Sequence, residues 1–346
     1  MSNSLNQAQR NRADEFYTQM PDIEAEMRHY KQHFRGKVVL CNCDDPYESN
    51  FFKYFALNFN AFGLKRLIAT CYAGSPVAGE QVPLSEVEPI QHHQPGRSKP
   101  HKIIIEEVTD ANGDGATDLA DVEYLLRSRK NVITLLDGDG DFRSRECIEL
   151  LKQSDIVVTN PPFSLFREYV AQLIEYDKKF IIIGNMNSVT YRDFFPFIMD
   201  NKVWYGESIR SGDREFRIPE GYPMAAAGSR IDEMGRRFIR VKGVRWFTNL
   251  DIPRRRETLT LYKRYCTQEH PKFDNFDAIN VDKVANIPYD YHGVMGVPIS
   301  FFDRYNPDQF QIIGNENMLS VPNGRGYVNG QRLYARVFIR RREAVS

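Results

Sequence analysis

Apolar runs and helical stripes alternate along the first two hundred residues. KVVLCNC (37–43) is a continuous apolar run of strand length, and ESNFFKYFALNF (48–59) places aromatic and aliphatic residues at helical spacing. KRLIATCYA (65–73) predicts a second strand. Ahead of them, Asp22 is placed to cap a helix running to about Phe34, with Ile23, Met27 and Tyr30 on one face. Residues 74–100 are rich in Gly, Pro and Gln and predict a surface insertion. HKIIIEEV (101–108) predicts a strand, one arm of a hairpin built on that insertion. A helix (118–129), a strand and turn (131–142) and a helix (144–153) follow. A strand (155–159), a helix (164–177) and a strand (178–185) complete the series. At least four strand–helix alternations with unbroken apolar strands predict an α/β fold, a parallel sheet with helices on both faces.

Beyond about residue 205 the rhythm changes. Aromatic residues, Gly and Arg interleave without βαβ repetition, which predicts short strands and long loops. The expected division is a disordered tail (1–13), a sheet domain (14–204, with 74–100 inserted) and a second region (205–346).

Composition narrows the class. With 346 residues, 42% hydrophobic and 27% charged, the chain suits one large soluble domain with a lobe, or two domains. It contains no run of ~18 apolar residues and starts with a polar segment, so a cytoplasmic protein without a membrane segment is expected. Five cysteines without a C-x-x-C pair argue against a structural zinc site or a disulfide framework. The zero net charge hides a polarity. Residues 201–346 carry 24 Lys+Arg against 17 Asp+Glu, a surplus of seven positive charges, and the first 200 carry 22 against 29. An acidic half for cofactor and catalysis and a basic half that meets phosphate would account for it. Arg254, Arg255 and Arg256, with Arg245, Trp246, Phe247 and Tyr262 nearby, suit phosphate and groove contact.

The segment 110–121, DANGDGATDLAD, fits a calcium-loop pattern with Asp110, Asn112, Asp114, Asp118 and Asp121 as ligands. A polar turn and helix cap explain the same residues more simply, so no metal is expected.

The most unusual stretch ends the 155–159 strand: Asn160-Pro161-Pro162-Phe163. Proline fixes its own φ and holds the preceding residue extended. The Asn160 amide and the Pro161 carbonyl can then point into one space beyond the sheet as two fixed acceptors. Two acceptors gripping an exocyclic amine favour a pyramidal nitrogen with its lone pair freed, and they stabilise the positive charge that grows as it attacks. Phe163 offers a face for stacking a base, worth about 1–3 kcal/mol. An amine paired inside a duplex must first be swung out.

N-P-P-F after an apolar strand resembles the catalytic motif of S-adenosylmethionine-dependent amino-methyltransferases. Over most of its length the chain is similar to the EcoRI-type DNA adenine-N6 methyltransferases. The matching stretches are 14–27, 41–55, 138–151, 155–185, 244–257 and 296–314. The resemblance implies a Rossmann-like sheet that binds S-adenosyl-L-methionine, a C-terminal DNA-recognition region and double-stranded DNA as substrate. Phe16-Tyr17-Thr18 matches the element that meets the methionine end of the cofactor. Asn42, Asp44, Asp45 and Pro46 occupy the cofactor-loop position, where CNCDDP replaces the usual glycine-rich loop. Asp141 and Phe142 match the pair that meets the cofactor's adenine, and Asn160 to Phe163 match the methyl-transfer motif. No acidic residue ends the second strand, so Glu106 or Glu107 is the candidate for the ribose hydroxyls. A paired restriction endonuclease is a candidate partner, and a monomer is expected. The same chemistry would serve an RNA base or a protein glutamine amide, and an inactive DNA-binding descendant is the rival outside enzymology.

Overall fold

The computed structural model describes residues 17–43, 49–71, 100–110, 113, 115, 118, 121, 122, 124, 133–210, 213–218, 228–317 and 325–342. Two helical turns, α1 (Met20–Met27) and α2 (Lys31–Phe34), precede the first strand, β1 (Val38–Cys41). Pro21 and Asp22 lie in the first turn of α1, Asp22 paired with Arg214 at 3.3 Å; the position before the helix is Gln19, not Asp22. A turn at 28–30 divides the single helix expected to reach Phe34. Next come α3 (Asn50–Leu57), α4 (Phe59–Phe62) and β2 (Arg66–Thr70). Ser49 caps α3 by accepting from the Phe52 amide at 3.3 Å. β3 (His101–Ile105), β4 (Ile133–Leu135), α5 (Arg145–Gln153), β5 (Ile156–Thr159), α6 (Phe166–Glu175) and β6 (Lys179–Asn185) complete the α/β series.

The chain continues through α7 (Phe195–Met199), β7 (Trp204–Tyr205), β8 (Arg214–Ile218), β9 (Ser229–Ile231), β10 (Arg237–Val241) and β11 (Val244–Thr248). Then follow β12 (Ile279–Asn280), β13 (Met295–Pro298), β14 (Phe310–Asn315), β15 (Tyr327–Val328), β16 (Gln331–Arg332) and β17 (Arg336–Arg341). Two compact units result: Met1–Asn185 with Ser211–Leu250, and Met186–Arg210 with Asp251–Ser346. The division expected near residue 204 therefore differs from the one observed. Residues 211–250 return to the first unit because β11 pairs antiparallel with β6, with Trp246 opposite Ile183.

In the first unit the strand order is β4-β3-β2-β1-β5-β6-β11. Only the four central strands, β2, β1, β5 and β6, are parallel. β3 runs antiparallel to β2, as one arm of the expected hairpin, and β4 antiparallel to β3. β1, β5 and most of β6 are buried throughout, as a sheet covered on both faces requires. β8, β10 and β9 form a separate three-stranded antiparallel sheet.

The second unit contains a sheet ordered β12-β13-β17-β14 and the ribbon β15-β16. One of its cores gathers Phe273, Ala278, Val328 and Phe338. Among the described residues, no helix is long and apolar enough to cross a membrane.

Candidate active site

In an open α/β sheet the crevice lies beyond the carboxyl ends of the strands, where the chain switches direction across the sheet. Here that place is between β1 and β5. From β1 the chain runs outward to β2, β3 and β4, then crosses to β5 on the other side. Asn42 follows β1 and Asn160 follows β5, and the two strands pair in parallel with Leu40 opposite Val157. The Thr159 hydroxyl donates to the Asn42 carbonyl, and the Tyr169 hydroxyl donates to Asn42 Oδ1. Two strand ends and α6 are thus fastened together at the switch point.

Asn160, Pro161 and Pro162 are buried and Phe163 is half-buried. The Pro162 carbonyl accepts from the Leu165 amide at 2.9 Å, closing the turn that leads into α6. Phe163 meets Phe216 of β8 edge to face, centroids 6.3 Å apart. α6 is held by its apolar stripe of Phe166, Tyr169, Val170 and Leu173. Phe166 covers Gly184 of β6 so closely that any side-chain carbon there would collide with its ring.

The 137–142 loop leaves β4 at the same edge of the sheet. Phe142 packs edge to face on Tyr169 at 5.0 Å. Asp141 is gripped by Arg143, with Nε to Oδ1 at 2.8 Å and Nη2 to Oδ2 at 2.6 Å. The guanidinium reaches Glu168 at 3.1 Å and lies 5.1 Å from the Phe142 centroid. Its bond to Asp141 is the main reason its pKa is pushed up. Tyr17 forms an antiparallel bridge with Arg217 of β8 through bonds of 2.9 and 3.1 Å. The Thr18 carbonyl accepts from Asn50 Nδ2 at 2.7 Å. The Thr18 hydroxyl is buried without a hydrogen-bond partner, a site that a polar ligand would satisfy.

Of the residues expected to bind a cofactor, Tyr17, Thr18, Asn42, Asp141, Phe142 and Asn160 are described, whereas Phe16, Asp44, Asp45 and Pro46 lie outside the described residues. Two expectations for the ribose are corrected. β3 is antiparallel to β2, so Glu106 and Glu107 lie at the opposite edge of the sheet from Asn42. Glu106 is ion-paired there with Arg66 at 2.5 Å. At the carboxyl end of β2 stands Cys71, its sulfur 3.1 Å from His101 Nδ1.

The expected DNA contacts also divide. Arg245 and Trp246 are 4% and 1% exposed, in a strand whose five residues are all buried, so neither presents a surface to phosphate. Arg254 is buried too, and its guanidinium donates to the carbonyls of Gly206, Glu207 and Asp303. Arg255 lies 3.8 Å from the Trp204 ring centroid and donates to Asn201. Only Arg256 of the three is exposed, paired with Asp251. The charge polarity shrinks as well. The second unit carries 17 Lys+Arg against 14 Asp+Glu, a surplus of three.

In the segment with the calcium-loop pattern, Asp110 accepts from the amides of Gly113 and Gly115, and Asp121 accepts from the amide of Asp118. Asn112 and Asp114 lie outside the described residues, and among those described no three His, Cys, Asp or Glu side chains cluster to hold a metal.

Three contributors escaped the sequence reading: Tyr169, Arg143 and β8. Tyr169 could have been found, because a tyrosine on a buried helical stripe needs a partner for its hydroxyl.

Residues 4–342 match the family described as adenine-specific methyltransferase EcoRI. The chain is 44% identical to the Type II methyltransferase M.EcoRI of Escherichia coli, over 97% of this chain and 95% of that protein. It is 35% identical to the Type II methyltransferase M.MpnI of Mycoplasma pneumoniae, over 99% of each. No solved structure matches it. The chain therefore belongs to the EcoRI family of adenine-specific methyltransferases.

Proposed function

We propose that this chain transfers a methyl group from S-adenosyl-L-methionine to N6 of an adenine swung out of double-stranded DNA. The observation that carries the proposal is Asn160-Pro161-Pro162-Phe163 standing at the sheet's switch point, fastened through Thr159 to the strand end that carries Asn42. Bound cofactor supplies a methyl group on a positively charged sulfur, an electrophile that needs no enzyme nucleophile. Tyr17, Thr18, Asn42, Asp141 and Phe142 are the described residues that would hold it, and the unsatisfied Thr18 hydroxyl fits a polar ligand.

Asn160 and the Pro161 carbonyl accept from the two N6 hydrogens and stabilise the charge that develops on nitrogen. Phe163 supports the base plane. The extra proton leaves after transfer, so a strong general base is not required. Asn160 is 2% exposed, and an adenine meets it only after leaving the stack.

Similarity to proteins named Type II methyltransferases supports a restriction–modification role. A paired endonuclease, a cytoplasmic location and a monomeric state belong to the same proposal. Mapping modified bases in a plasmid from cells that express the chain tests it, with N6-methyladenine expected in one sequence context. Asn160→Ala is expected to lower the methylation rate by about 10²–10³-fold while cofactor affinity holds. Methylation at the wild-type rate would remove Asn160 from the chemistry.

A further inference from the structure

β8, β10 and β9 form a small sheet with two unlike faces. Phe216 pairs opposite Ile239, Ile218 opposite Arg237, and Arg214 opposite Val241. Phe216, Ile218, Ile239 and Val241 thereby share one face, all buried, and Phe216 is the ring that meets Phe163. On the other face Phe238 pairs opposite both Arg217 and Arg230, and Arg240 opposite Glu215. Arg230 lies 4.4 Å from the Phe238 centroid, and Arg236 lies 6.0 Å from it. Arginines cover an aromatic ring here, with their stems packed and their heads toward water.

The charge is concentrated in this sheet. Residues 214–218 and 228–242 carry seven Lys+Arg against three Asp+Glu, a surplus of four, in a unit that as a whole carries 29 against 32. Glu215 pairs with Arg230 and Asp232 with Arg236, while Arg240 is exposed. The turn between β9 and β10 presents Met234, 78% exposed, between these arginines. An apolar tip flanked by arginines suits a grooved, anionic partner.

We propose that the arginine face of the β8–β10–β9 sheet, with Arg217, Arg230, Arg236 and Arg240, is where the DNA duplex docks, on a sheet whose other face packs through Phe216 against the methyl-transfer motif. This deepens the assignment as a DNA adenine methyltransferase and rests on it. It moves the expected phosphate contacts from Arg245 and Arg254, which are buried, to a surface in the same unit as Asn160.

The test uses the full chain and a short duplex cut from a plasmid site that the wild-type protein methylates. Binding is measured across a salt series for wild type, Arg240→Ala and the double variant Arg230→Ala with Arg240→Ala. Arg240→Ala is expected to weaken binding several-fold and to reduce the slope of log affinity against log salt by about 0.9, and the double variant by more. Cofactor affinity and melting temperature of Arg240→Ala should match wild type. Unchanged affinity and slope in both folded variants would overturn the docking face while leaving the enzyme assignment intact. A wild-type protein that neither binds nor methylates duplex DNA overturns the assignment itself, and the docking face with it.

Discussion

β10 and β11 are consecutive strands joined by a two-residue turn, and their sequences are close cousins: RFIRV and VRWFT. Both mix arginine with aromatic and β-branched residues. Their fates are opposite. β10 belongs to a sheet covered on one face, and Arg240 reaches solvent. β11 is layered on both sides, with Trp246 edge to face on Phe51 of α3 at 5.9 Å and Phe247 against Phe166 of α6 at 4.8 Å. Arginine beside an aromatic ring is therefore not in itself a nucleic-acid signature. What matters is how many layers cover the strand.

That contrast predicts unequal costs, the largest at Trp246. Trp246→Ala should lower stability by about 3–5 kcal/mol in denaturant unfolding, because the emptied space lies between packed layers. A loss under about 1 kcal/mol would mean that β11 is not covered on both faces. Tyr169→Phe probes how the layered side is joined to the site. Asn42 Oδ1 would lose its buried donor, at a cost of about 1–3 kcal/mol, with weakened cofactor binding read by calorimetry. Unchanged cofactor affinity would separate Asn42 from the cofactor site. At the small end, Arg240→Ala should shift stability by no more than about 0.5 kcal/mol, since the side chain is exposed. A larger loss would erase the distinction between the two strands.

The legible parts of the sequence were those set by local rules. The strand read at 178–185 is found at Lys179–Asn185, and the helix read at 144–153 at Arg145–Gln153. Apolar run length and the Ser144 cap, which accepts from the Cys147 amide at 3.3 Å, suffice to mark such ends. The illegible parts depended on pairing direction. Glu106 ends an apolar strand as a ligand carboxylate would, but β3 runs antiparallel to β2, so it emerges at the wrong edge and meets Arg66. Apolar content reveals that a strand is buried and says nothing of which way it points.

From residue order alone came the strand–helix alternation and a proline-locked Asn-Pro-Pro-Phe at a strand end, because periodicity and proline sterics act within a few residues. Only the folded chain decided that this strand end lies beside Asn42, that residues 211–250 rejoin the first unit, and that Trp246 is core while Arg240 is surface. Those outcomes depend on which segments, far apart in the chain, come to cover one another, and burial of that kind leaves no local mark.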